Sequence, residues 1–163
     1  MKKRLFIFLS IILVLLSSCN YKIYEKNPDK IKYEVVKDCV LGYGNYNYRD
    51  IIEEQYMLEW IVDYQLLPSK YREHDKENEF FKTYSLVLFN YDDSSIENNT
   101  FIESYNIEDR KITINLKTSS YGTIEEEVSC VYMLEIEKRY LKNIKEIYIY
   151  ANGIECPKYP KQK

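Results

Sequence analysis

The second half of the chain alternates between apolar and polar residues over several consecutive segments. The alternation is clearest over Ile112–Leu116 and over Val128–Ile136. A period of two is typical of a β-strand with one buried face. Ahead of these segments, Tyr84–Tyr91 is almost continuously apolar, which predicts a central strand that is buried on both faces. The chain is therefore expected to build its core on β-sheet.

One earlier segment, Ile51–Leu67, favours a helix. Apolar residues at three-to-four spacing predict a broad buried face, made of Ile51, Met57, Leu58, Ile61, Tyr64 and, as an open alternative, Trp60. Asp50 is a candidate N-cap and Pro68 follows the predicted end. The start is open, because residues 48–52 could instead finish a strand. With further strands predicted over Tyr33–Leu41, Phe101–Asn106 and Ile144–Tyr150, the fold class is α+β: one main helix packed on an antiparallel, twisted or barrel-like sheet of five to six strands.

The N-terminus has the pattern of a secretion signal. Three basic residues, Lys2, Lys3 and Arg4, precede an apolar run of twelve residues from Leu5 to Leu16, and Ser17-Ser18-Cys19 follows. As a helix the run would extend about 18 Å, which is less than the bilayer core of about 30 Å. Two other interpretations stay open: an uncleaved membrane anchor, and an ordinary secretory signal that is cut near Ser18.

This N-terminal arrangement resembles the signal peptide and lipobox of bacterial lipoproteins. The resemblance implies that the Cys19 thiol carries lipid, that residues 1–18 are removed and that acyl chains hold the protein in the bacterial cell envelope, facing its extracytoplasmic side. Asn20, in place of an aspartate, indicates the outer membrane if the host is Gram-negative. The predicted organisation is a signal peptide (1–18), a lipid-anchored tether (19–31), a single α+β domain (32–156) and a polar tail (157–163).

The charge of the mature chain bears on its partners. Loss of the three basic residues of the signal moves the formal net charge from -3 to about -6. A mildly acidic domain is a poor candidate for nucleic-acid binding, which depends on neutralising phosphates. The composition also predicts no basic patch for anionic lipid headgroups, so the membrane contact is expected from the lipid on Cys19 alone.

The remaining cysteines and the tyrosines give the other candidate residues. Cys39, Cys130 and Cys156 allow one disulfide in an exported protein, but the sequence does not choose the pair. There is no Cys-x-x-Cys spacing, so neither a zinc site nor a redox site is predicted. The 18 tyrosines reflect either an AT-rich genome or an exposed surface for glycans or protein partners. The best local candidates for such a surface are Tyr43, Tyr46 and Tyr48.

No group of residues predicts catalysis. His74 lies in a run of charged residues, which is typical of a solvated histidine, and Asp92-Asp93 lacks the spaced ligands of a calcium loop. Motifs of nucleophilic, phosphate-binding or zinc hydrolase sites are absent from the sequence. We therefore expect a protein that is not an enzyme and needs neither a cofactor nor a metal.

Residues from about Asp75 to Tyr150 resemble the small β-domain family that is named after the C-terminal region of PrcB, a protease-complex subunit. The matching elements are Phe80-Phe81-Lys82, Ser85–Phe89 and Tyr132–Lys138. The segment Ser94–Thr100 departs from the family, because it lacks the expected glycines. The resemblance implies a non-catalytic accessory or protein-interaction role in the envelope and supplies no active-site residues. The alternative is a carbohydrate- or peptidoglycan-associated binding protein that uses surface tyrosines.

Overall fold

The computed structural model describes residues 22–37, 39, 48–72, 79–93, 99–119 and 128–157. The strands within these ranges are β1 (Ile23–Glu25), β2 (Tyr33–Lys37), β3 (Arg49–Ile52), β4 (Tyr84–Asp93), β5 (Asn99–Glu108), β6 (Lys111–Ser119), β7 (Val128–Glu137), β8 (Glu146–Ala151) and β9 (Ile154–Glu155). The helices are α1 (Gln55–Ile61), α2 (Glu79–Thr83) and α3 (Lys138–Leu141), with 3₁₀ turns at Pro28–Lys30, Tyr64–Leu66 and Ser69–Tyr71.

These strands form two sheets. The outer sheet has the order β1-β5-β6-β8-β9, and the middle sheet has the order β2-β7-β4-β3. Neighbouring strands are antiparallel, except that β6 and β8 are parallel. This parallel pair arises because α3 turns the chain from the end of β7 in the middle sheet to the start of β8 in the outer sheet.

The core has two parts, one on each face of the middle sheet. Between the sheets, Phe89, Tyr132 and Leu134 of the middle sheet pack in one cluster with Ile114 and Ile149 of the outer sheet. On the opposite face, a second cluster joins the middle sheet to the helical segments. Its members include Leu58, Ile61, Leu67, Tyr71, Leu86, Leu88 and Met133. The fold is thus three layers: outer sheet, middle sheet and helical segments.

The prediction for β4 is confirmed. This strand lies between β7 and β3, and the side chains of Leu86, Val87, Leu88 and Phe89 are fully buried. The two faces of the strand belong to different core clusters, which explains why the sequence is apolar at successive positions instead of at alternate ones.

The predicted α+β fold, with one main helix on an antiparallel, twisted or barrel-like sheet of five to six strands, is confirmed only in its sheet-rich part. The structure is mainly β, with two sheets and short helices. The predicted helix over 51–67 is divided, since Ile51 and Ile52 belong to β3 and pair with Val87 and Leu86 of β4. Asp50 therefore lies in a strand, and Glu54 occupies the N-cap of α1 without a side-chain capping bond.

The predicted tether also contributes to the fold. Within residues 19–31, Ile23–Glu25 forms β1 and pairs with Ile107, Asn106 and Tyr105 of β5. Ile31 is buried in the core cluster between the sheets. These contacts place part of the predicted tether within the folded domain. Among the described helices, none has the length and apolar character needed to cross a membrane.

Candidate functional site

Several residues that the sequence singles out lie outside the described residues. These are Cys19, Tyr43, Tyr46 and His74. Tyr48 is described and is half-buried: its ring packs against the core cluster under the helical segments, and its hydroxyl donates to Asp50 Oδ2 at 3.1 Å. The tyrosine surface at 43–48 therefore stays a prediction.

The three predicted disulfide candidates are thiols in the structure. Cys39 is buried among the residues under the helical segments, whereas Cys130 is buried between the sheets and Cys156 packs against that same cluster. Burial raises the pKa of Cys39, and the Asp63 carboxylate adds to this shift, whereas a hydrogen bond with the Asp63 backbone opposes it. Burial also raises the pKa of Cys156, although the Arg49 guanidinium opposes this shift. The pairing stays a prediction.

The helical layer exposes four large apolar residues, which we name the aromatic surface: Tyr56, Trp60, Tyr64 and Leu66. Tyr56 and Trp60 are 59% and 74% exposed and stand one helical turn apart on α1. Leu58 and Ile61 on the other side of α1 are buried against the middle sheet. Trp60 and Tyr64 thus lie outside the core, contrary to the prediction that placed Tyr64, and as an option Trp60, on the buried face.

The aromatic surface is held in place by the chain that follows α1. Asp63 Oδ1 accepts a hydrogen bond from the Gln65 backbone at 2.9 Å and so caps the next 3₁₀ turn. The Tyr64 hydroxyl donates to the Arg72 carbonyl at 2.8 Å. Leu67 is fully buried behind this turn. The exposed rings therefore stand on backbone that is anchored in the core, a feature that lowers the entropic cost of binding.

Acidic residues surround the aromatic surface. Between positions 50 and 69 the chain contains five acidic residues and no lysine or arginine. Glu53, Glu54 and Asp63 are exposed. The Glu59 carboxylate accepts a hydrogen bond from Gln55 Nε2 at 2.9 Å. The surface therefore combines aromatic area with negative charge, which fits a partner that brings apolar and basic side chains.

A buried carboxylate lies behind the 3₁₀ turn at Ser69–Tyr71. Glu135 Oε1 accepts from Lys70 Nζ at 2.5 Å and from the Tyr71 hydroxyl at 3.0 Å, and Lys70 also bridges to Glu34 at 2.6 Å. Burial, together with the Glu135 carboxylate, strongly raises the pKa of Tyr71. The Tyr71 phenol is therefore held neutral as a hydrogen-bond donor. The bonds from Lys70 and Tyr71 to Glu135 connect the helical layer to the middle sheet.

Arg49 links the edges of the two sheets. Its guanidinium is buried and donates to the carbonyls of Ile147, Cys156 and Pro157 at 3.2, 2.8 and 3.1 Å. Burial lowers the pKa of Arg49, although a guanidinium remains charged at any physiological pH. Because Arg49 binds backbone carbonyls at β8 and after β9, its evident role is to hold the C-terminal segment against β3.

The outward face of the outer sheet carries a second polar and aromatic surface. One row across four strands contains Tyr24, Asn106, Thr113 and Tyr148. In the next row, Asn115 Nδ2 donates to Ser104 Oγ at 2.9 Å. Asn106 Oδ1 is buried without a hydrogen-bond partner among the described residues. These side chains face outward because Ile112 and Ile114 on the same strand face the core.

Comparison with protein-family models, curated proteins and solved structures gives no match to this chain. The resemblances to bacterial lipoproteins and to the PrcB C-terminal family therefore stay sequence-based predictions. The aromatic surface, which the sequence reasoning missed, is the candidate site with the strongest physical support.

Proposed function

We propose that this protein is a lipid-anchored envelope protein with a non-catalytic role, and that it binds a protein partner through the aromatic surface. The observation that carries this proposal is the exposure of Trp60, the single tryptophan of the chain, next to Tyr56 on a helix whose other side is buried. Tryptophan and tyrosine are enriched at the energetic centres of protein interfaces. Covering both rings would remove apolar surface from water.

The location in this proposal rests on the sequence of residues 1–19. A charged start, a short apolar run and Ser17-Ser18-Cys19 support export and lipid attachment at Cys19, with the domain on the extracytoplasmic side of a bacterial membrane. In a Gram-negative host, Asn20 favours the outer membrane. The mature protein would keep the domain and lose residues 1–18.

Site-specific photo-cross-linking in native envelopes tests the partner. A photoreactive amino acid replaces Trp60 in one variant and Ile154 in another. Ile154 is a matched control, because it is 75% exposed and apolar but lies on β9 in the outer sheet. We expect a discrete cross-linked protein from position 60 and none from position 154. Absence of a product at position 60, or the same products at both positions, would contradict the proposal.

Membrane association tests the anchor separately. Cys19→Ala removes the thiol that would carry the lipid, so the variant should no longer be processed as a lipoprotein. In phase-separation assays, we expect the wild-type protein to partition into detergent only after lipid attachment. We expect the variant to lose its incorporation of labelled fatty acid. Equal incorporation in the two proteins would contradict the anchor at Cys19.

A second candidate function is binding of glycan or peptidoglycan on the outward face of the outer sheet. Tyr24 is 60% exposed, and it lies in one row with Asn106, Thr113 and Tyr148. Rings together with amides and hydroxyls suit sugar hydroxyl groups and apolar sugar faces. Tyr24→Ala combined with Tyr148→Ala should then reduce co-sedimentation with peptidoglycan, whereas Trp60→Ala should not. Unchanged co-sedimentation of the double variant would remove this candidate.

A further inference from the structure

Seven basic residues lie at one end of the molecule, which we name the basic end: Lys22, Arg110, Lys111, Lys138, Arg139, Lys142 and Lys145. The strand register brings them together. Ile23 at the start of β1 pairs with Ile107 near the end of β5, and Lys111 at the start of β6 pairs with Glu146 at the start of β8. The Lys145 backbone donates to the Arg110 carbonyl at 2.8 Å, which places the segment after α3 beside the β5–β6 turn.

The basic end has a positive balance in a chain with a formal net charge of -3. The acidic residues in the segments that supply these bases, residues 22, 108–111 and 137–146, are Glu108, Asp109, Glu137 and Glu146. Three of these carboxylates form ion pairs, with Lys22 at 2.6 Å, Arg139 at 2.7 Å and Lys111 at 3.7 Å. Arg110, Lys142 and Lys145 are exposed and have no ion pair with any described residue. Four acids against seven bases give these segments a formal net charge of about +3.

The β5–β6 turn holds a charged side chain where glycine is favoured. Asp109 and Arg110 both have positive φ, at 50° and 64°. The β8–β9 turn has the same signs of φ at Asn152 and Gly153, the pair of residues that suits such a hairpin. An arginine in this region of φ is strained, so the charged side chain at position 110 raises the free energy of the local backbone.

The proposed anchor joins the domain at this same end. Cys19 is four residues before Ile23, and the first of the described residues, Lys22, is bonded to Glu108 next to the β5–β6 turn. Four extended residues span at most about 14 Å. Lipid on Cys19 would therefore hold the basic end within reach of the headgroups.

We propose that the basic end is a membrane-contact surface, which binds the phosphates of anionic lipid headgroups and fixes the orientation of the anchored domain. The position next to the membrane rests on the proposed anchor, whereas the charge cluster is a feature of the fold. This surface differs from the expectation of no basic patch, because the net charge of the whole chain averages this end with acidic regions. Basic residues near an anionic surface contribute about a fivefold gain in affinity each at moderate salt.

The orientation leaves Trp60 of the aromatic surface available. α1 starts after β3, whose last residue Ile52 pairs with Leu86 close to the start of β4. α1 is followed by Asp63, which lies beside Cys39 beyond the far end of β2. The later part of α1, with Trp60, is thus directed away from the basic end and from the membrane.

Lysine labelling of the full-length protein as it is isolated from membranes tests the proposal. The protein is mixed with vesicles of phosphatidylcholine alone or with about one third phosphatidylglycerol. Flotation with neutral vesicles reports the lipid anchor, whereas acylation of individual lysines, read by mass spectrometry, reports the basic end. We expect acylation of Lys142 and Lys145 to be lower on anionic than on neutral vesicles and to recover at about 0.5 M salt. Lys117, which is exposed near the opposite end, should not change.

Paired charge reversals give the matched control. Lys142→Glu with Lys145→Glu should weaken binding to anionic vesicles by at least about 25-fold, and Lys37→Glu with Lys117→Glu by less than about twofold. Arg110→Gly should weaken binding about fivefold while the turn is kept, since glycine suits its positive φ.

Equal acylation of Lys142 and Lys145 on neutral and anionic vesicles would overturn the proposal and leave an acidic protein surface as the occupant of this end. Equal effects of the two charge reversals would also overturn it, because the attraction would then not be local. Loss of flotation on neutral vesicles alone would instead count against the anchor. The difference in lysine acylation between neutral and anionic vesicles would still decide the role of the basic end.

Discussion

At the scale of single residues, the Glu135 carboxylate is a nearly buried charge that accepts two side-chain hydrogen bonds. Its side chain is 9% exposed, and it is matched by the Lys70 ammonium and the Tyr71 hydroxyl. A buried charge is costly unless it is paired and hydrogen-bonded. The three side chains therefore act as a unit, which joins the 3₁₀ turn at Ser69–Tyr71 to β7.

Tyr71→Phe removes one donor from this buried carboxylate. We expect the free energy of unfolding to fall by about 2 kcal/mol, which is the range for hydrogen bonds to charged groups. Tyr64→Phe is the control, since its hydroxyl bonds an exposed carbonyl and should cost at most about 0.5 kcal/mol. Urea unfolding measures both values. Equal losses in the two variants would contradict the role of Glu135.

The pKa of Tyr71 also gives a pH dependence. Burial raises this pKa above the value of 10.0 expected for an unfolded chain. Folded Tyr71 thus keeps its proton when the unfolded state loses it, and the contribution is complete below pH 10.0 and is lost as the pH rises above it. Urea unfolding between about pH 9 and about pH 11 should show a shallower decline of stability for Tyr71→Phe than for the wild type. Parallel declines would contradict this assignment.

Glycine is expected to stabilise both hairpin turns, so adding it to one turn and removing it from the other should have opposite effects. Arg110→Gly places glycine at a positive φ and should raise the free energy of unfolding by up to about 1 kcal/mol. Gly153→Ala should lower it by about 1 kcal/mol by strain alone, because an added Cβ would meet no atom within 4 Å. Thermal unfolding is the measurement. A loss of stability in Arg110→Gly would show that the turn is not strained at this position.

At the scale of secondary structure, α1 contributes burial on one side and an accessible surface on the other. Leu58 is fully buried and Ile61 nearly so, whereas Tyr56 and Trp60 project to solvent. At about 100° per residue, Tyr56 and Trp60 lie opposite Leu58 and Ile61. The helix is seven residues long and depends on its contacts with the middle sheet more than on its own propensity.

Alanine substitutions within α1 separate these two sides. Trp60→Ala should change the free energy of unfolding by less than about 0.5 kcal/mol, because the ring is exposed. Leu58→Ala should cost about 2 to 5 kcal/mol through the cavity that it leaves. Urea unfolding distinguishes the two. A large loss of stability in Trp60→Ala would mean that this ring is part of the core and not of an interaction surface.

The sequence was sufficient to predict the long strands, because their signals are local. The apolar run at Tyr84–Tyr91 and the alternation at Ile112–Leu116 each lie within one element, and both strands are confirmed. The division of the strands between two sheets depends on pairings such as Ile23 with Ile107, which no local pattern contains. The three residues of β1 are also too few to show a period.

The aromatic surface was missed for a different reason. The helical pattern over 51–67 counted Trp60 and Tyr64 as apolar residues of one face, although a strand and a 3₁₀ turn occupy parts of that segment. In the shorter helix, Leu58 and Ile61 form the buried side. A helical period applied to residues 55–61 alone places Tyr56 and Trp60 opposite Leu58 and Ile61, and this pattern indicates the exposed side.

At the scale of the whole molecule, the proposed membrane-contact surface and Trp60 lie in different parts of the fold. The proposed anchor and the basic end lie where β1 begins, and the aromatic surface lies on the helical layer, with Trp60 away from that end. A lipid-held domain with this arrangement would present Trp60 to the space beyond the membrane. The charges of the basic end would add orientation to the attachment that the acyl chains supply.

Mass spectrometry of the N-terminal peptide of the native protein is the most direct test of the lipid-anchored account. Protein isolated from membranes of its host is digested, and the mass of its first peptide is determined. We expect a chain that begins at Cys19 and carries a thioether-linked diacylglycerol. A first peptide that still contains residues 1–18, or that carries Cys19 without lipid, would contradict it.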